Sequence, residues 1–396
     1  MNRTRVLQGV RIMRFEELYQ WHSEKRVTME YAAEILGICE RTFRRWCRRY
    51  EEEGMTGLYD SRLSKAAHNS APVDEVIAIL SLFETHYVNF SVSHFYDKYR
   101  DVHKGERSYT WVKSRLQEAG FVKKAKKRGA HRRKRERRPL KGMMLHQDAS
   151  MHEWVPDQHW DLIVTMDDAD NEIYSAFFVE EEGTQSSFRG VQEVIENHGL
   201  FCSLYTDRGS HYWTTKTAGE KVESKELTQF GRAMQQLGIE MIPAYSPEAR
   251  GRSERMFRTL QGRLPKELEL AGIKEMGDAN RYMRELFLPS FNARFKSEQT
   301  EEITSFVSWV DSHLKLREIL CNQTERVVKK DNTVSYEGKI LQIERNRNRY
   351  SYAKAKVRVH EYVNGELGIF YGHSCLGRYD ATGQALKEGL DVRRAA

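Results

Sequence analysis

The sequence predicts a multidomain chain: N-terminal all-α helix-turn-helix units, a central α/β core, and a C-terminal small β-barrel. Three observations carry this. Apolar residues recur at helical spacing as far as about residue 121, short apolar strand-like runs alternate with helical ones from 143 to 260, and apolar and polar residues alternate between turn signals after 325. A length of 396 residues accommodates roughly two to four domains of about 100–200 residues each. The expected divisions are 1–62, a helix-turn-helix unit; 70–122, a second such unit; 123–138, a basic linker; 139–297, the α/β core; 298–324, a helical connector; and 325–385, the barrel.

In the first unit, TMEYAAEILGICERTFRRWCRRYEEEG reads as a helix from Thr28 to Leu36, a turn at Gly37, and a second helix from Arg41 to about Glu52. Thr28 suits a cap, with Glu30 and Glu34 in the early turns. Ala33, Leu36, Ile38, Phe43 and Trp46 supply the small residue and apolar contacts that two tightly crossing helices require. Arg41, Arg44, Arg45, Arg48 and Arg49 then face outward, within reach of DNA phosphates and guanine edges. The alternative is a solvated basic helix in a small bundle. The second unit has an amphipathic helix in VDEVIAILSLF, then SVSHFYDKYR and SYTWVKSRLQEAGF, with Ser108 as a cap and Gly120 as a stop. Tyr109, Thr110 and Lys113 begin its last helix, which serves recognition or packing alone.

KKAKKRGAHRRKRERR, residues 123–138, has no apolar periodicity to fold around. A like-charge run of this density stays extended until a polyanion neutralises it, so Lys126, Lys127, Arg132, Arg133 and Arg135 are candidate phosphate contacts. A solvated tether is the alternative.

The core reads as strands near 143–154, 160–166 and 172–179, a helix over 184–198, a strand over 201–206, a helix near 225–237, a strand over 239–242, and a helix carrying Glu254. That is a three-strand meander followed by alternating helix and strand, a mixed sheet covered by helices. Asp148 in MMLHQDASMHEW and Asp207 in FCSLYTDRGSHY each follow an apolar, strand-like run, and Glu254 sits among arginines in YSPEARGRSERMFRTL. Three carboxylates on separate elements can converge on metal, and such hard oxygen ligands suit magnesium or manganese rather than zinc. Asp167, Asp168 and Asp170 in TMDDADNE read as a hairpin turn, since the run lacks the glycine and distant glutamate of a calcium loop. His146 points to the same strand face as Asp148 and reads as packed, with a supporting partner of that acid as the alternative.

LHQDAS, LYTDRGSHY and YSPEARGRSERMFRTLQ, in that order, resemble the catalytic core of the DDE transposases and retroviral-type integrases, and the whole chain is similar to ISNCY-type insertion-sequence transposases. The resemblance is strong over residues 140–296. It implies an RNase H-like fold for the core and metal-dependent DNA cleavage and strand transfer as the reaction, with Asp148, Asp207 and Glu254 as first, second and third acids. It also implies two divalent metal ions, Mg2+ or Mn2+, with Asp148 bridging. Two ions about 3.5–4 Å apart activate a water and stabilise the leaving oxygen. The implied partners are double-stranded DNA, as element ends and as target, and further copies of the chain on that DNA.

Two features depart from the family pattern. The gap from Asp207 to Glu254 is lengthened by the polar segment WTTKTAGEKVESKE, residues 213–226, and a surface-loop insertion costs little stability. Gln261 stands where relatives often carry Lys or Arg, leaving Arg258, one turn after Glu254, as the candidate phosphate contact. Helices are expected over 278–295 and 302–320. The tail, with turn signals at Glu337-Gly338 and Asn364-Gly365, resembles the SH3-like C-terminal domains of integrase relatives, with Lys354, Lys356 and Arg358 as non-specific DNA contacts.

A formal net charge of +7 and a pI near 9.0, unevenly placed, fit an acidic polymer as partner. Five scattered cysteines without CxxC spacing indicate neither a disulfide framework nor a zinc knuckle. No apolar run reaches membrane-spanning length, so a cytoplasmic, nucleoid-associated bacterial protein is expected, with no membrane partner. Two rival readings remain: a DNA-binding regulator that kept the fold without the chemistry, and a nuclease that cleaves without joining.

Overall fold

Thr28 caps the helix that follows it, its hydroxyl accepting from the Tyr31 amide at 3.2 Å, and Gly37 at φ 69° ends that helix. A left-handed residue there costs glycine little, which makes the sequence signal reliable. In the computed structural model the described residues are 3–59, 71–124, 136–214, 226–245, 251–297, 303–310, 313–345 and 349–386. They form two compact units, Met1–Thr85 and His86–Ala396.

The first unit holds α1 (Arg3–Ser23), α2 (Met29–Leu36), α3 (Glu40–Glu53) and α4 (Val73–His86), which ends at the boundary. Phe15 of α1 lies 5.2 Å from Phe43 and 5.5 Å from Trp46, ring to ring. With Ile12 and Leu18 it closes the core that Ala32, Ala33, Leu36, Phe43 and Cys47 begin. The helix-turn-helix pair is thus completed by a third helix that packs across both.

The second unit opens with α5 (Val92–Asp101) and α6 (Tyr109–Glu118), capped by Ser91 and Ser108. Its main sheet consists of β1 (Leu145–Val155), β2 (Gln158–Asp167), β3 (Ile173–Val179), β4 (Ser203–Thr206) and β5 (Glu240–Pro243), in spatial order β3-β2-β1-β4-β5. The first three strands form the expected antiparallel meander, and β4 and β5 lie parallel to β1 and to each other. Because strand side chains alternate, β1 sends His146, Asp148 and Ser150 to one face and Leu145 and Gln147 to the other.

The Leu145 face packs α7 (Thr184–His198) and α8 (Gln229–Leu237) through Phe188, Val191, Phe230 and Met234. The Asp148 face packs α9 (Gly251–Gln261), α10 (Leu264–Leu270), α11 (Met276–Tyr282) and α12 (Leu288–Phe295) through Met256, Phe257, Leu260 and Leu264. Residues 276–295 are helical throughout, as expected. A π turn over Met283–Phe287 joins α11 to α12 where Pro289 removes a backbone donor.

Two expectations are corrected. The helix expected over 302–320 forms only as α13 (His313–Ile319). Residues 303–310 run extended instead, Val307 exchanging backbone hydrogen bonds with Leu200 and Ser305 donating to Lys141. Phe306 and Trp309 pack against the α7–α8 core, so long-range contacts there override local helical pattern.

The C-terminal barrel is the second correction. The tail has β6 (Asn322–Val327), β7 (Thr333–Tyr336), β8 (Lys339–Gln342), β9 (Lys356–Glu361), β10 (Leu367–Tyr371) and β11 (Ser374–Tyr379). They make an open four-stranded antiparallel sheet, β11-β10-β9-β6, and a separate β7–β8 hairpin. Among the described residues the hairpin shares no ladder with the sheet, so nothing closes. Instead it packs against the sheet through Val334, Tyr336 and Leu341 against Val357, Val359 and Ile369. Alternation marks a buried face but not which strand an edge pairs with.

This C-terminal sheet is bolted to the core. Gln229 and Gln323 exchange two bonds of 2.9 Å, and Arg232 donates to the carbonyls of Ile319 and Cys321. No helix among the described residues is long and apolar enough to cross a membrane.

Candidate active site

β1 and β4 are paired in parallel with Leu145 opposite Leu204 and His146 opposite Tyr205. Two residues further along this register, Asp148 comes level with Asp207, immediately past the end of β4. Asp148 is buried, with one oxygen accepting from the Ala149 amide at 3.0 Å. Asp207 is half-buried and accepts from the Gly209 amide at 2.9 Å. A Cβ at position 209 would stand 3.1 Å from that same oxygen and 3.0 Å from the His211 ring, which explains the glycine in Asp-Arg-Gly-Ser. Both carboxylates act on one neighbour: burial first, then Glu182, Asp207 and Asp148, push the Tyr212 hydroxyl well above its ordinary pKa.

Glu254 lies in the first turn of α9 and is exposed. Two contacts locate it. Near the end of the helix, Gln261 donates to the Ser150 hydroxyl at 2.9 Å. At its start, the Arg252 guanidinium pairs with Asp168, which also accepts from His146 Nε2 at 2.7 Å. The helix therefore runs alongside β1 in the same direction. Seven residues are nearly two turns, so Glu254 and Gln261 project from about the same side of the helix. At 1.5 Å per residue Glu254 stands about 10.5 Å back from Gln261. At about 3.3 Å per strand residue this is roughly three residues before Ser150, within about one residue of Asp148. By this register Asp148 and Asp207 come level, and Glu254 falls at about the level of Asp148 along α9. Among the described residues no three His, Cys, Asp or Glu side chains are gathered closely enough to hold a metal ion.

The TMDDADNE run is the hairpin turn between β2 and β3, but its three aspartates are wholly buried, which the sequence did not reveal. Asp167 accepts from the Gly142 and Ala169 amides and from the Tyr174 hydroxyl, and burial pushes its pKa up to about 6. Burial would also raise Asp168, yet hydrogen bonds from His146, the Arg138 amide and Arg252 outweigh it and hold this carboxyl well below its usual range. Asp170 pairs with Lys141 at 3.2 Å. His146 is packed, as expected, and bonded to Asp168 rather than aimed at Asp148. A visible signal existed in Lys141, Arg252 and Lys296, the basic residues that fold back onto the run.

Of the candidate DNA contacts, Lys354, Lys356 and Arg358 are exposed on the C-terminal part, Lys356 pairing with Glu325, and the others fall into three groups. Arg41, Arg44, Arg45, Arg48 and Arg49 are all exposed on α3, Arg44 pairing with Glu40 and Arg48 with Glu52 on their own helix. Arg258 is exposed on α9, one turn beyond Glu254. Lys126, Lys127, Arg132, Arg133 and Arg135 lie outside the described residues, as does most of the 213–226 insertion. Where the basic run ends, Arg137 donates to the Ala169 carbonyl at 2.8 Å.

The chain resembles proteins of known kind. Residues 18–66 match a helix-turn-helix domain family. A protein of Sinorhizobium fredii (strain NBRC 101917 / NGR234) named as a transposase, y4bF, is 28% identical over 358 residues, 88% of this chain and 76% of that protein. The transposase for insertion sequence IS1202 of Streptococcus pneumoniae is 29% identical over 205 residues, 52% of this chain and 43% of that one. Over most of its length the chain is similar to insertion-sequence transposases. The first match spans both compact units, so the similarity extends beyond the helix-turn-helix. Solved structures with some likeness include a simian T-cell lymphotropic virus intasome bound to PP2A regulatory subunit B56 gamma, at 14% identity and TM-score 0.35 over 75% of this chain and 95% of that one. The HTLV-2 integrase catalytic core domain in complex with magnesium gives 14% and 0.27 over 37% of this chain and 89% of that one.

Proposed function

We propose that this protein is a transposase of the DDE class. In this reading it binds the ends of a mobile DNA element and catalyses metal-dependent strand cleavage and strand transfer, with Asp148, Asp207 and Glu254 as its acids. The observation that supports the reading is the β1–β4 register, which brings Asp148 level with Asp207, together with the Gln261–Ser150 bond, which ties the helix of Glu254 to β1. The sheet order β3-β2-β1-β4-β5 supports an RNase H-like core.

The donor set fits a divalent cation: three carboxylates with hard oxygens, one buried, one half-buried and one exposed to an approaching DNA backbone. Bound Mg2+ or Mn2+ would supply an activated water or 3′-hydroxyl and stabilise the leaving oxygen. The chain's own part is to hold the strand acids rigidly, to carry Glu254 on a helix clamped at both ends, and to offer Arg258 to a phosphate. On α3 the exposed arginines serve end recognition, since a recognition helix presents such side chains to the major groove.

The test is replacement of each acid by its amide, Asp148→Asn, Asp207→Asn and Glu254→Gln. A neutral amide is a poor ligand for a hard dication, so cleavage and joining are lost in all three while folding and DNA binding persist. Wild-type activity in any one of them removes that residue from the site.

A further inference from the structure

We infer that Asp168 is a positioning residue for the proposed site: through Arg252 and His146 it ties the start of the Glu254 helix to the strand carrying Asp148. This inference rests on the reading of Asp148 and Glu254 as metal-binding acids.

The residues on each side make the case. Arg252 lies two residues before Glu254, and its side chain is 18% exposed. Its partner Asp168 is fully buried, held from the Arg138 amide at 2.8 Å and from His146 Nε2 at 2.7 Å. His146 in turn lies two residues before Asp148 on the same face of β1. One carboxylate therefore bonds simultaneously to the helix of the third acid and to the strand of the first. The backbone reinforces it, because the Asp168 amide donates to the Met144 carbonyl beside β1 at 3.0 Å.

The contact is needed where it stands. Glu254 is exposed and belongs to the first turn of its helix, the part with the fewest internal hydrogen bonds. The Gln261–Ser150 bond restrains the far end only, nearly two turns away. Loss of the Arg252–Asp168 pair removes a restraint on that first turn, ahead of the Met256 and Phe257 packing. A displacement of about 1 Å at a reacting group costs on the order of 100-fold in rate.

The full-length chain tests this with Arg252→Ala, Arg252→Lys, Asp168→Asn and the Arg252→Ala/Asp168→Asn double variant. Two measurements are made. Hydrogen–deuterium exchange of residues 251–257, in metal-free protein, reads the helix start directly. Nicking of a plasmid carrying the DNA that flanks the gene, titrated with Mg2+, reads the metal concentration for half-maximal rate.

The expected result is faster exchange in 251–257 for both single alanine and asparagine variants, with exchange in α7 unchanged. The half-saturating Mg2+ should rise about 10- to 100-fold, the usual effect of losing a partner of a metal-holding group. The double variant should be no worse than the worse single one, because both remove one contact, and Arg252→Lys should recover part of the loss. If Asp168→Asn does not fold, Arg252→Ala, which cuts the tether from its more exposed end, decides alone. Wild-type exchange and wild-type Mg2+ dependence in Arg252→Ala overturn the inference. Glu254→Gln in the same assay separates the two levels: inactivity there with a normal Arg252→Ala sinks only the tether. Full activity of Glu254→Gln sinks the proposed function, and the exchange data then judge the tether by themselves.

Discussion

Replacing Glu267 by glutamine should loosen α5 from the core. Glu267 lies on α10, and its side chain is only 13% exposed. It accepts from His94 Nε2 at 2.6 Å, from Lys98 Nζ at 2.7 Å and from the Tyr282 hydroxyl at 3.3 Å. Burial holds His94 below its ordinary pKa, so at neutral pH the imidazole donates as a neutral ring and Lys98 is the charge partner. Burial would raise the Glu267 carboxyl, but His94 and Lys98 together pull it down to about 2. Measured against an unfolded value of about 4.3, a shift of that size corresponds to about 3 kcal/mol, the lower end of the cost of breaking a buried pair.

The sign follows from a depressed carboxylate pKa. The stabilisation is fully present above the unfolded value, and it disappears as pH falls from about 4.3 towards 2. In a domain of this size about 3 kcal/mol lowers the melting temperature by about 6–12 °C. Thermal unfolding of wild type and Glu267→Gln at pH 7 and pH 3 should therefore show a wide gap that narrows in acid. Equal melting at pH 7, or a gap undiminished at pH 3, would refute the assignment of Lys98 and His94 as the groups that hold this charge.

Neutralising Lys126, Lys127, Arg132, Arg133 and Arg135 should weaken binding to every DNA sequence and flatten the slope of log affinity against log salt; an unchanged slope would make the run a tether. Changing Arg44 and Arg45 to alanine should cost on the order of 1–3 kcal/mol of preference for element ends for each lost base contact, read by competition against random duplex, while cleavage chemistry survives. Gly190→Ala should destabilise the core by about 1–3 kcal/mol, because its Cβ would collide with the Gln147 amide and stand 3.1 Å from Thr165 Oγ1 behind the Asp148 strand. Denaturant unfolding of that variant with an unshifted midpoint would contradict the packing described.

The core was legible because its signals are local. Alternation located β1, β2 and β3, helical spacing located α7 and α8, and Thr28, Ser108, Gly37 and Gly120 marked helix ends that the structure keeps. The order of the three acid-bearing motifs was legible for the same reason, each being a few residues around one turn or strand end. Residues 303–310 were not, since their extended course comes from backbone pairing with Leu200 and Lys141, more than a hundred residues away in sequence.

What the sequence determined alone is which residues carry oxygen donors and which stretches carry positive charge, because both are properties of side chains and their spacing. The tertiary structure decided the rest. Only folding could bury Asp167, Asp168 and Asp170 in a turn that reads as solvent-exposed, since burying a carboxylate requires partners brought from β1, from α9 and from Lys296 at the end of α12. Only folding could turn Gln261, a departure from the family pattern, into the residue that ties the end of α9 to Ser150 of β1. And only folding could leave the C-terminal strands as an open sheet beside a hairpin, because a strand's pattern specifies its buried face while closure depends on which edges meet.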